Sequence, residues 1–302
     1  MPKQIILEDL PLEKRREALE RSQLQRMIRF YKEGEIFKYR LTVEGYSHVE
    51  SVKSNFKIIS IYELIYVKYE EEDKLYRFTL SELSYKIDKY DDPVVAQIIE
   101  MSNYVSVIYQ HLDFGVDKYG NMKKIYNRQE INKKWEKTKE YLTYKHPLTS
   151  YEIIKTKEKE LREPKMEIMN LSFMHFLQVY FKQFGRFADQ QQFDTLHMDQ
   201  FGTGIPFGLD IVFEKCEPQE EGKIHRKMKG EMIPDSAIER ELLKCTKQPA
   251  SGNVIYDTRA DYYSDGWILE EVNFSYEEKI GEGYDMYNYI HLELIKDQEN
   301  HG

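Results

Sequence analysis

The sequence predicts an α+β fold in which antiparallel strands flank a helical middle. Three observations predict it. Stretches in both halves alternate apolar and polar residues, as in Phe37, Tyr39, Leu41 and Val43 against Lys38, Arg40, Thr42 and Glu44. Period-two alternation means one buried and one wet face, the habit of antiparallel sheets rather than doubly covered parallel ones. Turn signals such as Asp265-Gly266 separate the strands. Between the strand-rich halves, Lys165 to Phe184 is apolar around most of its circumference, and such a helix needs cover on several sides. The expected architecture is two antiparallel β-sheet units packed around this central helical segment, with an N-terminal helix. A single curved sheet wrapped on that helix is the alternative. The corresponding boundaries are 1–144, 145–190 and 191–302.

The first element is a helix from Leu10 to Glu33. Leu24, Met27, Ile28 and Tyr31 form its apolar stripe, Asp9 can cap it and Gly34 can end it. A strand follows at Phe37–Glu44, Ile58–Tyr69 reads as a more buried strand or pair, and after the charged turn Glu70–Asp73 comes a strand at Tyr76–Ser81. Asp92-Pro93 opens a short helix to Met101. Tyr104–Phe114 reads as a strand, turned at Lys118–Asn121 to pair with Met122–Tyr126. Asn127 with Glu130 resembles a capping box, and Ile131, Trp135, Thr138 and Leu142 mark the inner stripe of the helix behind it.

Leu148–Glu163 is charged and amphipathic, and Pro164 breaks it from the apolar helix. After the polar stretch 188–192, strands resume at Leu209–Glu214 and Lys223–Ile233. Pro234-Asp235-Ser236 starts a helix to about Thr246. Val254–Tyr263, Trp267–Tyr276 and Tyr284–Ile295 are three more strands. A weak internal duplication is also expected. Val107-Ile108-Tyr109 precedes Gly120 and Asn127 much as Val254-Ile255-Tyr256 precedes Gly266 and Asn273.

At 302 residues, 41% hydrophobic and 32% charged, the chain has the composition of a globular protein. Its net charge of −9 argues against a nucleic-acid binder, which needs a cationic face for phosphates. An acidic surface suits a basic protein partner. Cys216 and Cys245 form no disulfide framework and suit a reducing cytoplasm. The apolar run after Met1 is three residues long and acids follow it, so no signal peptide is expected. Met166 to Phe184 is interrupted by Glu167, Asn170, His175, Gln178 and Lys182, too polar for a bilayer span. No membrane association is expected.

Few motifs carry chemistry. Gly202-Thr203-Gly204 with Gly208 leads into a strand, whereas a phosphate loop opens a helix. Cys216, His225 and Cys245 are spaced like no compact zinc site, and no metal or cofactor is expected. His175 reads as a core or boundary histidine. Asp113, Asp117, Asp257, Asp261 and Asp265 sit near turns, where aspartate needs no special reason. Asp194, His197 and Asp199 lie close together, and a histidine beside carboxylates can act as a general base. No nucleophile-elbow serine or cysteine accompanies them. The chain holds 24 tyrosines, a residue that packs as an aromatic yet keeps a polar tip. Those on the last strands crowd together, and Tyr262, Tyr263, Trp267, Tyr287 and Tyr289 are the candidate binding residues. The leading expectation is a non-enzymatic protein-binding module: an adaptor, a toxin-neutralising partner or a component of a larger assembly. A carrier of a hydrophobic small molecule in a sheet–helix groove is the first alternative. A hydrolase centred on the His197/Asp199 loop is the second.

Overall fold

The structure is a computed structural model that describes residues 30–90, 101, 103–147, 150–172, 174–182, 192–198, 203, 205–214, 217–218 and 223–296. The strands are β1 (Ile36–Val49), β2 (Val52–Glu70), β3 (Leu75–Tyr90), β4 (His111–Val116), β5 (Met122–Ile125) and β6 (Gln192–Met198), followed by β7 (Pro206–Phe213), β8 (Glu217–Pro218), β9 (Lys223–Met232), β10 (Val254–Asp265), β11 (Ile268–Ile280) and β12 (Tyr284–Leu294). The helices are α1 (Arg128–Lys145), α2 (Ser150–Arg162), α3 (Pro164–Leu171), α4 (His175–Tyr180) and α5 (Ser236–Cys245).

Among the described residues these strands form one twelve-stranded sheet in the order β5-β4-β3-β2-β1-β12-β11-β10-β9-β7-β6, with β8 beside β9. This corrects the expectation of two sheet units around a central helix. The halves are joined by β1, whose Tyr39–Val49 run pairs antiparallel with Leu294–Tyr284 of β12. Alternation within a strand reports which face is wet, not which strand lies beside it. Both β1 and β12 carry the same alternation, and each completes the other's open edge.

The central helix is also corrected. Lys165–Phe184 does not run as one rod: α3 ends at Leu171 and α4 begins at His175. Met174, with φ −57° and ψ 129°, leaves helical geometry between them. The Ser172 hydroxyl donates to the Met169 carbonyl at 2.6 Å, supplying a local bond that competes with continuation of the ladder. The short helices cover one face of the sheet instead of standing between two sheets.

Register shows how the two faces are built. On the covered face, Leu41, Leu292, Val272 and Tyr262 form one cross-strand row, and Val43, Ile290, Phe274, Ala260 and Met228 form the next. All of these are buried in one contiguous core. On the outer face the rows read Arg40, Glu293, Glu271, Tyr263, His225 and Glu44, Tyr289, Ser275, Arg259, Lys229. Gly45 sits between Phe56 and Asn288 in the register, and a Cβ there would lie 2.2 Å from the Phe56 ring. Only glycine lets these two side chains close over β1.

Tyrosine fills much of the core. Tyr180 of α4 meets Tyr39 edge-on at 5.3 Å, and Phe176 meets Tyr62 at 4.8 Å. Burying a phenol requires a partner for its hydroxyl. Tyr31 donates to the Trp267 carbonyl at 2.7 Å and lies 2.9 Å from the Tyr180 hydroxyl, while Tyr39 donates to the Leu269 carbonyl at 2.9 Å. These bonds tie β1, α4 and the start of β11 together.

Other expectations meet mixed outcomes. Residues 103–106 are helical and Val107–Tyr109 is a 3₁₀ turn, where Tyr104–Phe114 predicts a continuous strand. A short aromatic and β-branched run does not separate strand from helix, and this turn drives Ile108 and Tyr109 into the core. Val254–Tyr256 lies in β10, so the two tripeptides of the supposed repeat adopt different conformations. Asn127 makes no side-chain cap on α1. Its amide accepts from the Asp113 backbone at 3.0 Å and donates to the His111 carbonyl at 2.9 Å, fastening β4. The expected alternations in β1 and β7 are present, as are the Val254–Tyr263 strand and the Asp235 start of α5. Residues 30–35 are not helical, and the rest of the expected N-terminal helix and nearly all of the Val94–Met101 helix lie outside the described residues.

Candidate functional site: a cleft among the helices

Among the described residues, an apolar recess lies between the 3₁₀ turn and α2–α3. On α2, Ile153, Lys157 and Glu160 fall at i, i+4 and i+7 and share one face. That face meets Val105, Tyr109 and, from α3, Leu171. The cleft between them holds about 310 Å³, at the lower end of the size of small-molecule sites.

The lining of the cleft also carries a charged network. The Tyr109 hydroxyl lies 3.1 Å from Glu160 Oε1 and 3.3 Å from Glu167 Oε1, so its single proton serves two carboxylates. Lys157 Nζ donates to Glu160 at 2.7 Å and sits 4.7 Å from the Tyr109 ring centroid. Arg128 Nε donates to Glu167 at 2.9 Å, and its terminal nitrogen reaches the Leu161 carbonyl at 2.7 Å. The Glu167 side chain is fully buried. Burial pushes its carboxyl above the ordinary range, and Arg128 pulls in the opposite direction. Burial and the two glutamates push the Tyr109 phenol well above its ordinary value, keeping it a hydrogen-bond donor. Two cations and two carboxylates balance in charge. The arrangement is an apolar wall ending in a satisfied polar patch, suited to holding an amphipathic molecule.

A second recess of about 310 Å³ lies on the outer face, where a β-bulge separates Tyr263 from Ser264. Lys223 and Lys296 both reach Glu270 there, at 3.6 Å and 3.1 Å. Glu271 and Glu293, which also line it, pair outside it with His291 and Arg40.

The sequence-predicted residues scatter. His197 of β6 is 3% exposed, with its ring 4.4 Å from that of Tyr256 and 5.2 Å from that of Phe207. Burial, with a smaller contribution from Lys182, pushes its imidazole down to about 3. Asp194 stands opposite Asp210 in the β6–β7 register, and Asp199 lies outside the described residues. Tyr262 is buried on the covered face. Tyr263 is on the outer face, stacked on His225 at 4.5 Å. Trp267 sits in the β10–β11 turn, 5.4 Å from the Phe30 ring. Tyr287 and Tyr289 are 45% and 36% exposed on the outer face. The five aromatics therefore do not form one surface. Tyr262 and Tyr263 are adjacent in a strand and must point to opposite sides.

His175 is half-buried, and burial pushes it down to about 4. His225 contacts Asp261 at 3.3 Å, Cys245 is exposed, and Cys216 lies outside the described residues. Among the described residues no group of three or more His, Cys, Asp or Glu side chains is placed to hold a metal ion. No described helix is long and apolar enough to cross a membrane. Sequence reasoning missed Tyr109, Glu160 and Glu167. The available signal was Glu167 itself, an acid inside an apolar run that has to find a cation.

No known family matches the chain, and no curated protein matches it. Six chains of solved structures match. One, titled "Lipid-protein interactions in lipovitellin", is 10% identical and matches over 88% of this chain and 26% of its own, with a TM-score of 0.47. This chain thus spans about a quarter of that one.

Proposed function

We propose that the protein binds a small amphipathic molecule in the cleft between the 3₁₀ turn and α2–α3. The observation that carries this reading is the cleft itself: apolar walls from Val105, Ile153 and Leu171, lined also by the Tyr109–Glu160–Lys157 network. Apolar walls with a few convergent polar groups are the ordinary form of a ligand site. The uncharged, solvatochromic dye Nile red tests it. Val105→Trp fills the cleft and should weaken dye binding at least tenfold, while Tyr289→Ala on the outer face leaves it unchanged. Equal binding to the wild type and to Val105→Trp removes the proposal.

A second reading is a docking face for a basic protein. Tyr287 and Tyr289 support it, being exposed amid the acids Glu44, Glu277 and Asp285 on the outer face. Tyrosine at such a position supplies contact area at low entropic cost. Replacing both tyrosines by alanine should weaken, tenfold or more, the hold on any basic protein that co-purifies in stoichiometric amount. Unchanged retention counts against this face.

A further inference from the structure

Among the described residues, Tyr144 and Tyr151 are the two most exposed large hydrophobic side chains, at 84% and 64%. They flank the short connection between α1 and α2, one in the last turn of α1 and the other in the first turn of α2. The two helices form a hairpin, bridged by the Lys139–Glu158 ion pair. The Ser150 backbone donates to the His146 carbonyl at 2.9 Å and draws the two helix ends together.

The charge of this hairpin opposes that of the whole chain. Residues 128–162 hold ten Lys and Arg against six Asp and Glu, in a protein of net charge −9. Lys133, Lys137, Lys145 and Lys159 are exposed and make no ion pair among the described residues. Lys133, Lys137 and Tyr144 fall at i, i+4 and i+11, along one face of α1, and the exposed acids Glu136 and Glu140 offset part of their charge. Lys155 lies 6.0 Å from the Tyr151 ring centroid.

We infer that the tip of the α1–α2 hairpin docks on an anionic lipid bilayer, with Tyr144 and Tyr151 entering the headgroup layer and the exposed lysines meeting the lipid charge. Tyrosine favours that layer because its ring is apolar and its hydroxyl wet. Lysine stems lie along apolar surface while the ammonium stays in water. Two projecting aromatic tips fit a soft interface better than a phosphate backbone, which calls for a continuous cationic stripe. The position also suits loading of a ligand. α2 carries Tyr151 at its start and the cleft wall from Ile153 to Glu160 immediately after. Loading rests on the cleft reading; docking does not.

Co-sedimentation of the full chain with vesicles tests the docking. Vesicles of phosphatidylcholine with phosphatidylglycerol should bind it, and pure phosphatidylcholine vesicles should bind it far less. Tyr144→Ala with Tyr151→Ala should weaken binding tenfold or more. Lys145→Gln should weaken it about fivefold, as expected for about 1 kcal/mol per lysine near a charged surface. Raised salt should weaken the wild type. All of these side chains are exposed, so the variants should keep the wild-type thermal midpoint and Nile red binding. Equal sedimentation of the wild type and the double tyrosine variant overturns the inference. So does failure to bind anionic vesicles while binding a single-stranded oligonucleotide, which would make the hairpin a nucleic-acid surface. Loss of Nile red binding in Val105→Trp with vesicle binding intact separates cleft from docking.

Discussion

His197 shows how a buried base makes stability depend on pH. Its imidazole is pushed down to about 3 in the folded chain from an ordinary 6.5. Between those values the unfolded chain takes up a proton that the folded chain refuses, so its contribution is present above the ordinary value and is lost as pH falls. The loss should amount to a few kcal/mol, at about 1.4 kcal/mol per pH unit. Urea unfolding at about pH 7 and about pH 4 should show a smaller difference for His197→Leu than for the wild type; equal differences would assign the acid sensitivity elsewhere. Arg128 offers a second test. Removing it leaves the fully buried Glu167 without its cation. Arg128→Ala should cost about 2–3 kcal/mol, below the cost of breaking a wholly buried pair because Arg128 keeps solvent contact. Glu167→Gln in the Arg128→Ala background should recover part of that loss in the same urea titration.

At the scale of elements, α5 illustrates what local chemistry decides. Asp235 Oδ1 accepts from the backbones of Ala237 at 2.9 Å and Ile238 at 3.2 Å, capping a helix whose Leu242 and Leu243 enter the core. Asp235→Ala should cost about 1 kcal/mol, or about 2–3 °C of thermal midpoint, and Asp235→Asn should cost less. This cap was legible in the sequence because N-capping is a short-range affair between a side chain and the next three residues. The alternation of Phe37 to Val43 and of Leu209 to Phe213 was legible for the same reason. Asn127 was misread because the hairpin that precedes α1 brings the His111 carbonyl and the Asp113 amide within reach of its side chain, and these outcompete the helix start. The helical conformation of Tyr104–Tyr109 was misread because Ile108 and Tyr109 satisfy either period until the helices around them are known. The cleft lay beyond reach altogether, since Tyr109, Glu160 and Glu167 meet only through tertiary packing.

For the whole molecule, the decisive contact is the one between β1 and β12. It makes the sheet continuous, so calorimetry should show one cooperative transition, and two separable peaks would contradict a single structural unit. Residues 1–144 produced alone would leave the long flank of β1 unpaired and should aggregate. Adding residues 145–302 in trans should restore solubility if the pairing can form between chains. The same contact governs how the protein can be made. At about 5–20 residues per second, a ribosome needs roughly ten to fifty seconds between completing β1 and completing β12. Once β2 has followed, β1 has β2 on one side and a bare row of backbone amides and carbonyls on the other. The growing chain must therefore be sheltered until β12 emerges, and its yield should respond to translation speed and chaperone supply more than its final stability would suggest.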